Sequence, residues 1–447
     1  MITVEKKDGH KIKISHVIQE TTNRQLDLYV FVPGELGLNP NIISEDEFYH
    51  NAILGKRTYY SDVIHLPLVH SRLASRGGLS TEQYRLSLSL YAYQYSLALE
   101  KTTHQLHEGN EERTLEEVDE VAQLAVRILK RLRRNVPTDK KLLKYYQNID
   151  NYLSWYTEQR LLSLVAHLPR NADYPEIKSL LLEICEKESQ HRLDNDYNST
   201  KAIQDPTRMS NKMRLLRRLI EYPVTMKEKT TALGKNTKKF IAGFAAGFVM
   251  IFVSILMIKA RGVLGDITAS FLLVLSFIYA AREVFKDDLK SMMWRWMRKG
   301  KPKWRKQFFD ANSSKLIGRQ LEWLEYISYR KIDDEIKKVR KHKVSQREET
   351  ILHYKSTTRM SPTKFLTGYE QTLESLTLDL RVLSKLMGKG SQRFYQLKDG
   401  QVSKESVEKR HLINLITRET DEDKTVRIQR WKVIINRSKI VDIEPIT

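Results

Sequence analysis

Apolar positions along this chain alternate with a period of two at both ends, repeat every three or four residues through most of the interior, and fuse into one uninterrupted stretch near the middle. Short alternating runs from Ile2 to Ile14 flank Asp8-Gly9, where the glycine supplies the positive φ of a tight hairpin turn. Leu26, Leu28, Val30 and Val32 alternate as a half-buried strand stopped by Pro33-Gly34. Ser44 with Glu47 forms a capping box that predicts a helix from Glu45.

The period then lengthens. Ser80–Glu100 mixes strand-like alternation (Leu86, Leu88, Leu90, Tyr91, Tyr93, Tyr95) with Ala, Gln and Glu content that favours a helix apolar on two sides. Thr114 and Glu117 make a second capping box, followed by Leu115, Val118, Ala122, Ala125, Leu129 and Leu132 at helical spacing. Leu142, Tyr145, Ile149, Tyr152 and Tyr156 repeat the stripe, and 176–192 supplies another helix, so a bundle is expected. Pro223 marks a joint between this bundle and the basic stretch after it.

Phe240–Ile258 is 19 residues without a charge, close to the thickness of a bilayer's hydrocarbon core at 1.5 Å per residue. Val263–Ala281 carries a single acid, Asp266, and the polar break from Lys259 to Asp266 contains Gly262 and Gly265. This pattern predicts two membrane spans turned back on each other. Ala242, Gly243, Ala246 and Gly247 on the first, and Ser276 and Ala280 on the second, are small residues spaced to let two helix backbones approach.

Beyond the hairpin, 312–343 reads as an amphipathic helix through Ile317, Leu321, Leu324, Ile332, Ile336 and Val339. Ser361-Pro362 at one end and Gly388 at the other bracket a heptad seam of Leu366, Tyr369, Leu373, Leu376, Leu380, Leu383 and Met387. From Phe394 the period falls to two again, with Asp399-Gly400 as a second hairpin turn and strands at Leu412–Ile416, Val426–Ile435 and Ile440–Ile443. The expected fold is therefore α+β: a mainly helical cytoplasmic body with short antiparallel β units at both ends, plus a two-helix transmembrane hairpin. The expected divisions are a β/α unit over 1–78, a helical bundle over 79–222, a basic linker over 223–239 and the hairpin over 240–281. A basic Trp-rich segment over 282–310, a helical pair over 311–390 and a β unit over 391–447 complete the chain.

Charge sharpens this picture. Of a net +21, residues 201–306 carry +16, on both flanks of the apolar stretch, where the positive-inside rule keeps both flanks and both termini on the cytoplasmic side of a cell membrane. Mean hydropathy is −0.49, so the membrane part anchors a mostly aqueous molecule. Within 289–306, Trp294, Trp296 and Trp304 are interleaved with Arg295, Arg298, Lys299, Lys301, Lys303, Arg305 and Lys306, a composition suited to the headgroups of anionic lipid. The same groups would contact a polynucleotide through stacking and phosphates, which ranks below lipid.

Signals for catalysis and cofactors are weak. One cysteine, Cys185, excludes an intramolecular disulfide and a multi-cysteine metal site, and the first twenty residues hold no signal-peptide core. Gly234-Lys235 lacks the rest of a phosphate-binding loop, and His65 and His70 flank Pro67 without ligand spacing on a helix. Glu422-Asp423-Lys424 resembles a nuclease acid and lysine pair no more than Glu335 and Lys337 do. The sequence thus points to a membrane-anchored, non-enzymatic scaffold, sensor or assembly protein with no cofactor or metal. Its expected partners are anionic lipid, a further protein and other copies of the chain. The alternative is a tethered effector that binds nucleic acid or, as an oligomer, permeabilises the membrane.

Overall fold

The computed structural model describes residues 2–7, 9–18, 23–60, 80–108, 114–167, 175–264, 269–310, 314–340, 349–361, 371–388, 391–398, 401–423 and 425–446. Its organising element is β3 (Asn23–Pro33), buried at every position from Leu26 to Val32 because both of its faces are covered. It lies inside an antiparallel eight-stranded sheet with β5 (Lys227–Ala232), β6 (Trp304–Phe309), β7 (Leu316–Ile327), β8 (Glu349–Met360), β12 (His411–Thr420), β13 (Val426–Ile435) and β14 (Ile440–Ile446). The strand order is β14-β13-β12-β3-β8-β7-β6-β5.

A second sheet, β1-β2-β9-β4, joins β1 (Thr3–Lys6), β2 (Lys11–Ile18), β4 (Ile53–Tyr60) and β9 (Gln371–Asp379). It faces the first across a core that includes Ile12, Ile14, Leu28, Leu324, Leu376, Leu378 and Trp431. The sheets touch at both margins: Ile440 donates to the Gly9 carbonyl at 2.9 Å, and Thr58 bridges to Thr225. On the other face of the large sheet, Ile332 and, within α10 (Asp334–Arg340), Ile336 cover Tyr29, Phe31, Ile351 and Ile416.

Expected turns and helices at several places are present. β1 and β2 pair around Gly9, whose φ is +69°, and Ser44 caps α1 (Glu45–Ala52) by accepting from the Glu47 amide at 3.2 Å. Helices α2 (Thr81–Glu108), α3 (Thr114–Arg133), α4 (Lys140–His167), α5 (Pro175–Asp194), α6 (Thr200–Gln204) and α7 (Pro206–Val224) form the bundle, and α7 runs through Pro223 before ending. Tyr59, Phe308 and Met360 from the sheets join its core, so bundle and sheets are packed together.

The predicted fold class is corrected on three points. The terminal strands are not separate small units, since β3 from the first sixty residues pairs with β8 and β12 from the last hundred. The helical pair of 311–390 is largely sheet: 316–327 is β7, and the seam residues Leu373 and Leu376 lie on β9. Leu380 precedes the short α11 (Arg381–Ser384), Leu383 lies within it and Met387 follows it. Leu366 and Tyr369 lie outside the described residues. Finally, the two-helix transmembrane hairpin is not supported. Among the described residues only one helix, over Lys235–Gly262, is long and apolar enough to cross a membrane.

Candidate functional site: an apolar arm and its root

Strands β5 and β6 are neighbours at the edge of the large sheet, paired from Lys227↔Phe309 to Ala232↔Trp304. Where a tight turn would join them, the chain instead makes α8 (Lys235–Leu264) and α9 (Ala269–Arg298), which pack on each other. Each has 30 residues, about 45 Å of helix. The arm is thus an insertion into a β-hairpin.

Its root is tightly specified. The Leu233 amide donates to the Lys303 carbonyl at 2.8 Å, and Gly234, at φ +92°, turns the chain into α8. A Cβ on Gly234 would meet Arg298 Nη1 at 2.7 Å and the Trp294 ring at 3.2 Å. Lys238 and Arg298 both stand over that ring, 5.8 and 5.2 Å from its centre. These contacts hold the start of α8 against the end of α9. The second expected span fails on composition: α9 is uncharged only from Ala269 to Ala281, and Arg282, Glu283, Lys286, Asp287, Asp288 and Lys290 follow. Charges at that density are costly in hydrocarbon.

The α8–α9 contact uses Ile241, Ala245, Val249 and Val253, all buried and four apart. The expected small-residue face is turned away: Gly243, Ala246 and Gly247 are exposed, Ala242 is half-buried, and Ser276 and Ala280 on α9 are exposed. Side chains at 241, 245, 249 and 253 bury more apolar area than the glycines two positions away at 243 and 247, and burial decides the facing. The consequence is an outer surface of large apolar groups. On α8, Phe240, Phe244, Phe248, Ile251, Phe252, Ile255 and Ile258 are all half exposed or more, and only 22% of the apolar window is buried.

The Trp and basic cluster divides. Trp296, Arg295, Lys299 and Lys301 are exposed at the root, whereas Trp294 and Arg298 pack against Gly234. Lys303 reaches inward to Glu45 at 2.5 Å and the Leu324 carbonyl at 2.6 Å. Trp304 is buried, stacked on Tyr49 with ring centres 3.7 Å apart. Lys306 is buried on β6 and pairs with Glu322 at 3.2 Å, while Arg305 next to it is half-buried.

Lys306 belongs to an ionic cluster between the two sheets that carries no sequence motif. Tyr354 donates to Glu322 at 2.5 Å and Tyr49 donates to its other oxygen; burial, then the Glu322 charge, pushes both phenols well up. A few residues along, Arg57 pairs with Glu374 at 2.6 Å, Gln320 donates to Glu374 at 2.8 Å, and His16 sits 3.4 Å from it. Burial lowers His16 to about 4, against the pull of Glu374. Arg57 is 1% exposed, and its Nε and Nη1 find no hydrogen-bond partner among the described residues. Both acceptor carboxylates are fully engaged in pairing, so the cluster's chemistry is structural: it ties β7, and β6 from which the arm returns, to β4 and β9.

His65, His70, Asp266 and Lys424 lie outside the described residues, and no group of three potential metal ligands occurs among those described. A cavity of about 580 Å³ lies between α2 and α3, floored by Leu99, Leu106, Leu124 and Ile128 with Glu117, Glu120 and Arg127 at its mouth. No family model, curated protein or solved structure matches the chain.

Proposed function

We propose that the protein is a membrane-attached scaffold or sensor without a catalytic centre of its own, whose arm buries α8 in lipid while the sheets and bundle stay on the aqueous side. The observation that carries this reading is the burial pattern of α8. A core helix hides its large side chains, whereas this one turns seven of them outward. An exposed patch of that size on a water-soluble surface marks an interaction site, and the composition of α8 matches hydrocarbon. The charged half of α9 then lies with the headgroups. Arg295, Lys299 and Lys301, exposed at the root, each gain about 1 kcal/mol near an anionic leaflet.

Flotation tests the proposal. Full-length protein mixed with phosphatidylcholine and phosphatidylglycerol vesicles should rise with them in a density gradient and stay bound in alkaline carbonate. Binding that is abolished by salt alone, or full recovery from broken cells in the supernatant without detergent, would overturn it.

A further inference from the structure

A second apolar projection leaves the body at the end of the large sheet from which the arm departs. The hydrogen-bonded row Ala232↔Trp304↔Glu322↔Ser356↔Leu26↔Glu419 crosses six strands. Toward the arm from that row, β7 runs on to Ile327, β8 begins at Glu349, β3 ends at Pro33, and β12 begins at His411. Immediately before His411 the chain makes a hairpin of β10 (Ser391–Lys398) and β11 (Gln401–Glu408), which among the described strands pair only with each other. Side-chain contacts run along the same end: Lys303 at the arm root holds Glu45, Thr350 donates to the Leu38 carbonyl at 2.8 Å, and Glu35 receives Lys409 at 2.9 Å and pairs with His411.

The hairpin's own composition is unusual for a solvated loop. Leu397 and Val402 are directly paired and about three-quarters exposed, and Tyr395 shares their face. Phe394 and Val407 are exposed on the opposite face, while Arg393 and Lys404 extend outward around Tyr395. An isolated two-stranded hairpin is marginal in water, so such a pattern asks for a surface to lie on.

We propose that the β10–β11 hairpin is a second lipid contact, resting its Tyr395, Leu397 and Val402 face at the headgroup boundary of the bilayer that holds the arm. This rests on the reading of the arm given above. The occupant follows from position, because a flat surface engaged by the arm meets the same end of the body, and from the cations beside the apolar pair, which suit an anionic leaflet. Depth follows from the backbone: among the described residues no further strand pairs with either outer edge of the hairpin, and sheet edges without a strand partner are kept out of the hydrocarbon core and held at the interface.

The test uses full-length protein with Cys185→Ser, so that one introduced cysteine carries an environment-sensitive fluorophore. Val402→Cys reports the hairpin and Phe248→Cys reports the arm, each reconstituted in anionic vesicles containing either a headgroup-level or a deep acyl-chain quencher. The expected result is at least twofold quenching at 402 by the shallow quencher and little by the deep one, with 248 quenched as well. Leu397→Asp should abolish the response at 402 and leave 248 unchanged. An unquenched 402 beside a quenched 248 would overturn the hairpin contact and leave the arm standing, whereas no quenching at either site would remove both. A 402 probe shielded in detergent in a concentration-dependent way would assign the hairpin to a second copy instead, against the proposal.

Discussion

Excising the arm should leave the body folded and make it water-soluble. The perturbation is a deletion of 234–302 with Asn-Gly joining Leu233 to Lys303. These two residues already form a hydrogen-bonded pair at the mouth of β5 and β6, the geometry that a two-residue turn closes. The loss to the body is small. The buried face of α8, Ile241, Ala245, Val249 and Val253, packs within the arm, and the root contributes only the packing around Gly234. A cost of about 1–2 kcal/mol and a melting shift of no more than about 5 °C are expected. The loss of membrane affinity is large. Seven α8 side chains each expose on the order of 100 Å², worth about 2.5 kcal/mol apiece and about 17 kcal/mol in all. Even halved for incomplete burial this is about 8 kcal/mol, roughly a million-fold in partition. Sedimentation of lysates without detergent and thermal unfolding followed by tryptophan fluorescence read both effects, since Trp155, Trp304, Trp323 and Trp431 remain. An excised protein that is unfolded or aggregated would show that α8 is core to the body, and the reasoning would fail.

Three further outcomes can be checked on the same material. Glu374→Gln strands the Arg57 guanidinium, 1% exposed and otherwise partnered among the described residues by the Phe308 ring, so stability in urea should drop by about 3–5 kcal/mol. Arg57→Met with Glu374→Leu should recover most of that, and a double variant as unstable as the single would refute the pairing. His16 is held at about 4 by burial, with Glu374, Arg24 and Arg57 facing it; its contribution is complete above the unfolded value of 6.5 and is lost as pH falls from 6.5 to 4. Unfolding free energy should fall across that window by up to about 3 kcal/mol, and His16→Leu should flatten the slope. Gly234→Ala forces φ +92° on a residue with a Cβ and drives it into Arg298 and Trp294. It should cost about 1–3 kcal/mol and raise protease sensitivity at the root while the bundle's unfolding is unchanged.

Legibility in the sequence followed local chemistry. Turns made by Gly9, the Ser44 cap and the helical stripes of α3, α4 and α5 were readable because each depends on residues within one or two turns of itself. The apolar stretch was equally plain, and α8 forms where it begins. Its facing was not plain, because a run that is apolar all round has no polar side to orient it, and the choice of Ile241 and Ala245 over Gly243 and Gly247 was made by α9.

The strands β6, β7 and β9 were unreadable for a different reason, and it concerns the same residues that anchor the arm. Binary patterning works when the inward positions are apolar. Here β6 turns Trp304, Lys306 and Phe308 inward, β7 turns Gln320 and Glu322 inward beside Leu324, and β9 turns Thr372 and Glu374 inward beside Leu376. With charges on one buried face, Leu321 and Leu373 on the opposite faces of their strands filled in spacings of three and four and mimicked helices. Such a strand is stable only if a partner elsewhere satisfies each charge, and those partners lie far along the chain: Glu374 meets Arg57, and Glu322 meets Tyr49. An edge hairpin carrying a lever of about 45 Å needs a root that resists shear, and a directional network of ion pairs and phenol hydrogen bonds resists displacement in a way that apolar contacts alone do not. The ionic interior and the arm are therefore parts of one device, which is why Lys306→Met should loosen β6 from the small sheet and raise hydrogen exchange in β5 and β6 ahead of β12 and β13. Uniform exchange across all four strands would break that link.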